Sequence, residues 1–160
     1  MNTNITHALD AIETIFQSMN WTCERQANPN GVFTGCKLDK ENNAHIVIMP
    51  DDLGTSLLLG CAYHFTVPKG QLGKIRRFLQ KEALEINGLA IQFDPKHGVR
   101  VSGRCWLPQF DLSQEDLTSL ITPYFRHLMF TCTQLLYPAL IKLLRHQERI
   151  KPQDDFHLPS

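Results

Sequence analysis

The feature that most constrains this chain is the alternation of apolar and polar residues that starts after residue 20 and continues, broken only by turn residues, to residue 67. A period of two belongs to strands, whose successive side chains point to opposite faces. The segments Trp21–Arg25, Val32–Leu38, Ala44–Met49 and Thr55–Val67 carry it. Between them lie Asn28-Pro29-Asn30-Gly31, Asp39-Lys40-Glu41-Asn42-Asn43 and Pro50-Asp51-Asp52-Leu53-Gly54. Such clusters supply the φ values and local side-chain hydrogen bonds that turns need. Connections this short join antiparallel neighbours, because a parallel pair needs a crossover of a dozen or more residues. The expectation is an antiparallel meander.

Helical spacing frames the meander. From Thr6 to Asn20 the apolar stripe is Leu9, Ile12, Phe16 and Met19, flanked by Ala8 and Ile15. Asp10 and Glu13 read as early-helix acids, where the dipole favours negative charge. Pro68–Asn87 returns to the helical period with Leu72, Ile75, Phe78 or Leu79, Ala83 and Ile86, and Asn87-Gly88 closes it like an αL cap. Leu89–Phe93 and Val99–Leu107 read as a second hairpin around Asp94-Pro95-Lys96-His97-Gly98. Ser113 with Asp116 resembles a capping box and opens a long helix toward Arg149, with Pro123 expected outside it or near its start and Pro138 expected to kink or break it. The fold class is therefore α+β: one domain over 6–149, in the order helix, meander, helix, hairpin, long helix, with a loose tail over 150–160.

Composition removes whole classes. The chain has 160 residues and balances 16 Lys+Arg against 16 Asp+Glu, so no global charge calls for nucleic acid. The balance hides an asymmetry: residues 1–60 carry seven acids against Arg25, Lys37 and Lys40, and the remainder is basic. Lys74, Arg76, Arg77 and Lys81 are the candidates for an anionic partner, but they lack the aromatic interleaving of a nucleic-acid site and read as a solvated helix face. The opening MNTNITHALDAIETIF has no basic region and is not read as a signal peptide. The apolar run Leu128–Leu144 is interrupted by Thr131, Thr133, Gln134, Pro138 and Lys142 and reads as a buried or interface helix, not a membrane span. Cys23, Cys36, Cys61, Cys105 and Cys132 form no CxxC pair and suit free thiols in a cytoplasmic protein.

No catalytic motif is present: no Gly-rich phosphate loop, no GxSxG, no HExxH and no EF-hand loop. The seven histidines show no i, i+3 or i, i+4 pairing, so neither a metal nor a cofactor is expected. Asp10 with Glu13, and Glu82 with Glu85, place two carboxylates on one helix face, a pattern that solvated helices produce routinely. A small-molecule or redox-linked enzyme would need His45, His64, Cys61 and Arg100 to converge in space.

The two sheet faces carry more information. Leu57, Leu59, Cys61, Tyr63 and Phe65, with Ile46, Ile48, Val99, Val101, Gly103, Cys105 and Leu107, share one parity and form the expected core face. The opposite parity should be polar if it meets water. Instead it holds His45, Val47, Met49, Leu58, Arg100, Arg104 and Trp106, the composition of an interface. Either another helix of the chain covers this face or a partner does. On the last helix, Leu135, Leu136, Leu140 and Leu144 are candidate dimer contacts.

A helix ending at Trp21, hairpins through NPNGVFTGCKL and AHIVIMP, a helix, the hairpin FDPKHGVRVSGRCWLP and a long last helix together resemble the YbjN-like proteins. These share the fold of type III secretion chaperones, including the Tir-chaperone type. The resemblance implies a small α+β domain, frequently dimeric, that binds protein segments and lacks enzymatic activity. Secretion chaperones are commonly acidic, whereas this chain is neutral with a basic second half, which favours the YbjN-like grouping.

Overall fold

Residues 3–65, 67–85 and 88–145 are described by a computed structural model. Helix α1 spans Thr3–Ser18; strands β1 (Cys23–Ala27), β2 (Asn30–Lys37), β3 (Asn43–Pro50) and β4 (Ser56–Tyr63) follow; then come α2 (Leu72–Glu85), β5 (Ala90–Asp94), β6 (Gly98–Trp106) and α3 (Gln114–Phe130). The strands form one six-stranded sheet in the order β1-β2-β3-β4-β6-β5. Every neighbouring pair is antiparallel. The fold is α+β, as the alternation and the short turns require.

The end of α1 shows how local chemistry sets chain direction. Asn20 takes the left-handed conformation (φ 58°), and its N–H donates to the Gln17 carbonyl at 3.0 Å. The Trp21 N–H donates to the Phe16 carbonyl at 2.9 Å, which completes a Schellman cap. The hydrophobic contact that accompanies such caps is the Phe16–Trp21 ring stack at 5.9 Å. Both rings also pack against Phe125 of α3. Thus α1 begins at Thr3, three residues before its expected start, and Asp10 and Glu13 lie in mid-helix instead of at the dipole end. There they grip Arg25 of β1 from across the gap, with the Glu13 contact at 3.0 Å.

The last helix corrects the expectation for Pro123 and narrows the one for Pro138. Pro123 sits inside α3, which Ser113 caps by accepting the Asp116 N–H at 3.1 Å. Pro138 does not break the chain's helical course. A π-helical turn over Thr131–Leu136 precedes it, with the Tyr137 N–H reaching back to the Cys132 carbonyl, and residues 137–145 remain helical. Pro138 has no N–H to give, and the i→i+5 pattern rearranges the ladder just before that gap. The turn also serves packing. Leu128, Cys132, Leu136, Leu140 and Leu144 are all buried at a strict spacing of four, which overshoots an α-turn by about 40° per step. The wider turn absorbs that drift and keeps the stripe on the core. The expected continuation to Arg149 and the tail over 150–160 lie outside the described residues, as do residue 66 and the Asn87 end of the second helix.

One core unites these elements. Helix α1 packs on β1, β2 and β3, α3 packs on β4 and β6, and α2 packs on β5. All the expected core-face residues are buried except Gly103, which is half-buried: its missing side chain makes room for Leu89, whose Cδ2 would lie 2.7 Å from a Cβ placed there.

Candidate binding groove on the open sheet face

The register places the interface-like residues side by side. Across the sheet, Val47 pairs with Phe33 and Gly60, Gly60 with Ser102, Met49 with Leu58, and Leu58 with Arg104. His45 stands opposite Ala62, and Ala62 opposite Arg100, which faces Gln92 at the β5 edge. These side chains line one groove of about 830 Å³. Among the described residues no helix packs over it. Its floor is apolar, from Phe33, Val47, Met49, Leu58 and Ala62, its cationic groups are Arg100 and Arg104, and His45 also lines it.

One end of the groove is tied together by a hydrogen-bond network around Asp51. Asp51 accepts from the Thr55 N–H, the Thr55 hydroxyl and the Ser56 hydroxyl, each at 2.8 Å. Arg104 donates to the same carboxylate at 3.3 Å and to the Ser56 hydroxyl at 3.1 Å. Partial burial works to raise the Asp51 pKa, but the hydrogen bonds from Ser56 and Thr55 outweigh it and hold the carboxyl well below its usual range. The Arg104 guanidinium lies 5.0 Å from the ring centroid of Trp106, whose indole remains 62% exposed. That cation–π contact extends the apolar surface beyond the groove mouth.

Of the sequence-derived candidates, His45, Val47, Met49, Leu58, Arg100 and Arg104 line the groove, and Trp106 stands beside it. The sequence reading missed Phe33, Gly60 and Ser102. Phe33 was accessible from the pattern: Val32 belongs to the core parity, so its neighbour must face the other way. The four dimer candidates divide. Leu136, Leu140 and Leu144 are buried in the chain's own core, and Leu135 remains exposed.

The assembled enzyme site does not form. His45 and Arg100 lie on the open face, whereas Cys61 is fully buried on the helix-covered one. Cys23 and Cys36 share that covered parity through the register of β1 and β2, and Cys105 and Cys132 are buried in the core. Burial pushes the Cys36 and Cys105 thiols up to about 11, away from a nucleophile's range. Among the described residues no group of three or more His, Cys, Asp or Glu is placed to hold a metal ion. Asp10 and Glu13 are engaged by Arg25. On α2, Arg76, Arg77 and Lys81 are exposed around the buried Ile75 and Leu79, the arrangement of a solvated helix face. No helix among the described residues is long and apolar enough to cross a membrane.

No family model matches this chain, and no curated protein matches it. Among solved structures, it is similar to a chain in the structure of the HopA1-SchA chaperone-effector complex. The two share 12% identity, over 80% of this chain and 97% of that one, with a TM-score of 0.44.

Proposed function

We propose that this protein is a non-enzymatic binding module that holds a segment of a partner protein on the open face of its sheet. The observation that carries the reading is the face itself: Phe33, Val47, Met49 and Leu58 form a continuous apolar floor with no helix of the described chain over it. Apolar surface of this extent with a polar, arginine-bearing rim marks an interaction site. The resemblance to YbjN-like proteins adds a cytoplasmic homodimer of chaperone-like or regulatory character, and of the four leucine candidates for its contact Leu135 is the exposed one.

The test uses wild-type and Val47→Asp proteins as baits in native cells, each first shown to be folded by circular dichroism. A stoichiometric protein recovered by the wild type and lost by Val47→Asp supports the reading. Equal recovery by both baits, or bait alone from the wild type, overturns it. Light scattering of Leu135→Glu tests the dimer; an unchanged mass rules out a contact through Leu135.

A further inference from the structure

We infer that the groove selects acidic segments: an extended partner chain reading acid-x-apolar-x-acid, with its carboxylates on Arg100 and Arg104 and its apolar side chain between them. The inference rests on the reading that this face holds a protein segment, and adds the chemistry of that segment.

Three observations lead to it. The first is charge. Among the described residues no Asp or Glu lines the groove, while Arg100 and Arg104 do. Arg100 is exposed, its cross-strand neighbours Ala62 and Gln92 are neutral, and no described carboxylate pairs with it. An anion arriving there meets an uncompensated guanidinium beside apolar surface, where a charge-assisted bond is worth more than in open water. Arg104 is pre-positioned instead: its Nη1 is committed to Asp51 and Ser56, its guanidinium lies near the Trp106 ring, and no described residue engages its Nε or Nη2.

The second observation is spacing. Arg100 and Arg104 lie on the same face of β6, four residues apart, and so roughly 13 Å from each other. An extended chain presents residues i, i+2 and i+4 on one side over the same span. The third is relief. Midway between the arginines the floor is Ser102 beside Gly60, with Val47 next across. Small side chains there leave a low point flanked by Leu58 and Ala62, which suits the apolar residue at i+2. Because Asp51 already balances part of Arg104, Arg100 is expected to provide more of the selectivity.

The experiment is fluorescence anisotropy at low salt with the 160-residue chain and an end-blocked, labelled peptide, Ser-Asp-Ser-Leu-Ser-Asp-Ser. Its comparisons carry Asn for both Asp, or Ser for Leu. The aspartate peptide should bind at least about tenfold tighter than the asparagine peptide, the worth of one charge-assisted bond. Added salt should narrow the gap. Arg100→Gln should remove most of it, Arg104→Gln less, and Arg100→Lys should restore part of it. Equal binding of the aspartate and asparagine peptides overturns the inference and leaves the segment-binding reading intact. Binding of phosphatidylglycerol vesicles with no preference for the aspartate peptide overturns it in favour of a lipid surface. Failure of every peptide to bind also overturns it, and whether the wild-type bait still captures a partner that Val47→Asp loses then decides the broader reading separately.

Discussion

The two faces of the sheet are built from the same strands, often from adjacent residues, and end in opposite conditions. On β3, Ile46 and Ile48 are fully buried while His45 and Val47, the residues that alternate with them, face the groove. On β4, Leu57 and Leu59 keep 2% or less of their surface exposed, and Leu58 keeps 38%. Hydrophobicity alone does not separate Leu58 from Leu59; continuity does. The covered face carries no charged side chain among Val32, Ile46, Ile48, Leu57, Leu59, Cys61 and Val101, all buried, and α1 and α3 lie on it. The open face has comparable residues, but Arg100, Arg104 and His45 interrupt them, and a helix laid there would have to bury two guanidinium charges and a polar imidazole.

The sharpest way to break this comparison is a matched pair of truncations one residue apart. Ile48→Ala should cost about 2–5 kcal/mol in urea unfolding, through lost transfer energy and a cavity beneath α1. Val47→Ala should cost less than about 1 kcal/mol, because its surface is already partly in water. Similar losses at the two positions would mean that something covers the open face in the free protein.

Next in size is Asn4, which closes the covered side. It is fully buried at the start of α1, and its amide donates to the carbonyls of Pro108 and Phe110 at 2.9 and 2.8 Å. Its carbonyl accepts the Leu112 N–H at 3.1 Å. Asn4→Ala removes partners from three backbone groups between β6 and α3, and should cost about 2 kcal/mol. A loss under about 0.5 kcal/mol would show that water satisfies those groups equally well.

The alternation was legible because each strand has one parity that is almost wholly apolar. Residues such as Ile46, Ile48, Leu57 and Leu59 admit a single register with respect to the core. The open face was legible for the converse reason: Val47, Met49 and Leu58 stand where a solvated sheet would carry polar side chains. What stayed illegible depended on contacts distant in sequence. Nothing near Asp10 and Glu13 announces Arg25, so a carboxylate pair reads the same whether solvated or gripped. Leu135 and Leu136 are adjacent leucines on one helix, and only the phase set by the π turn sends the second inward. Pro123 within α3 is a tertiary override of a local rule, since the helix is held by Leu117, Ile121, Phe125 and Leu128 on the core.

A smaller effect tests how the β2–β3 turn is tied to the covered side. The Tyr137 hydroxyl donates to Asp39 and accepts from Asn42 Nδ2 at 2.8 Å. The Tyr137 bond and the backbone N–H groups of Glu41 and Asn42 hold the Asp39 carboxyl at about 2. A carboxyl depressed in the folded state binds fewer protons there than in the unfolded chain, so its contribution is complete above about pH 4 and is lost as pH falls toward 2. Tyr137→Phe should cost about 1 kcal/mol at neutral pH and flatten the acid limb of the stability–pH curve. An acid limb identical to the wild type's would remove Asp39 from that linkage.

The smallest effect should carry the opposite sign. Tyr63 packs edge-on against Tyr137 with ring centroids 5.4 Å apart, yet its buried hydroxyl has no hydrogen-bond partner among the described residues. Burial pushes its pKa far up, with the neighbouring Cys132 and Cys61 adding to the shift, so it stays protonated throughout the working range. Folding therefore removes this hydroxyl from water without replacing its bond, a cost that Phe avoids. Against that gain stands a void the size of one oxygen atom, which nearby side chains close only partly. Tyr63→Phe should raise stability by up to about 1 kcal/mol, while the same deletion at Tyr137 lowers it. Two touching tyrosines on the covered side then respond oppositely to loss of one atom. Should Tyr63→Phe instead destabilise by as much as Tyr137→Phe, a water bound to the Tyr63 hydroxyl would be the required correction to the covered face as a dry layer.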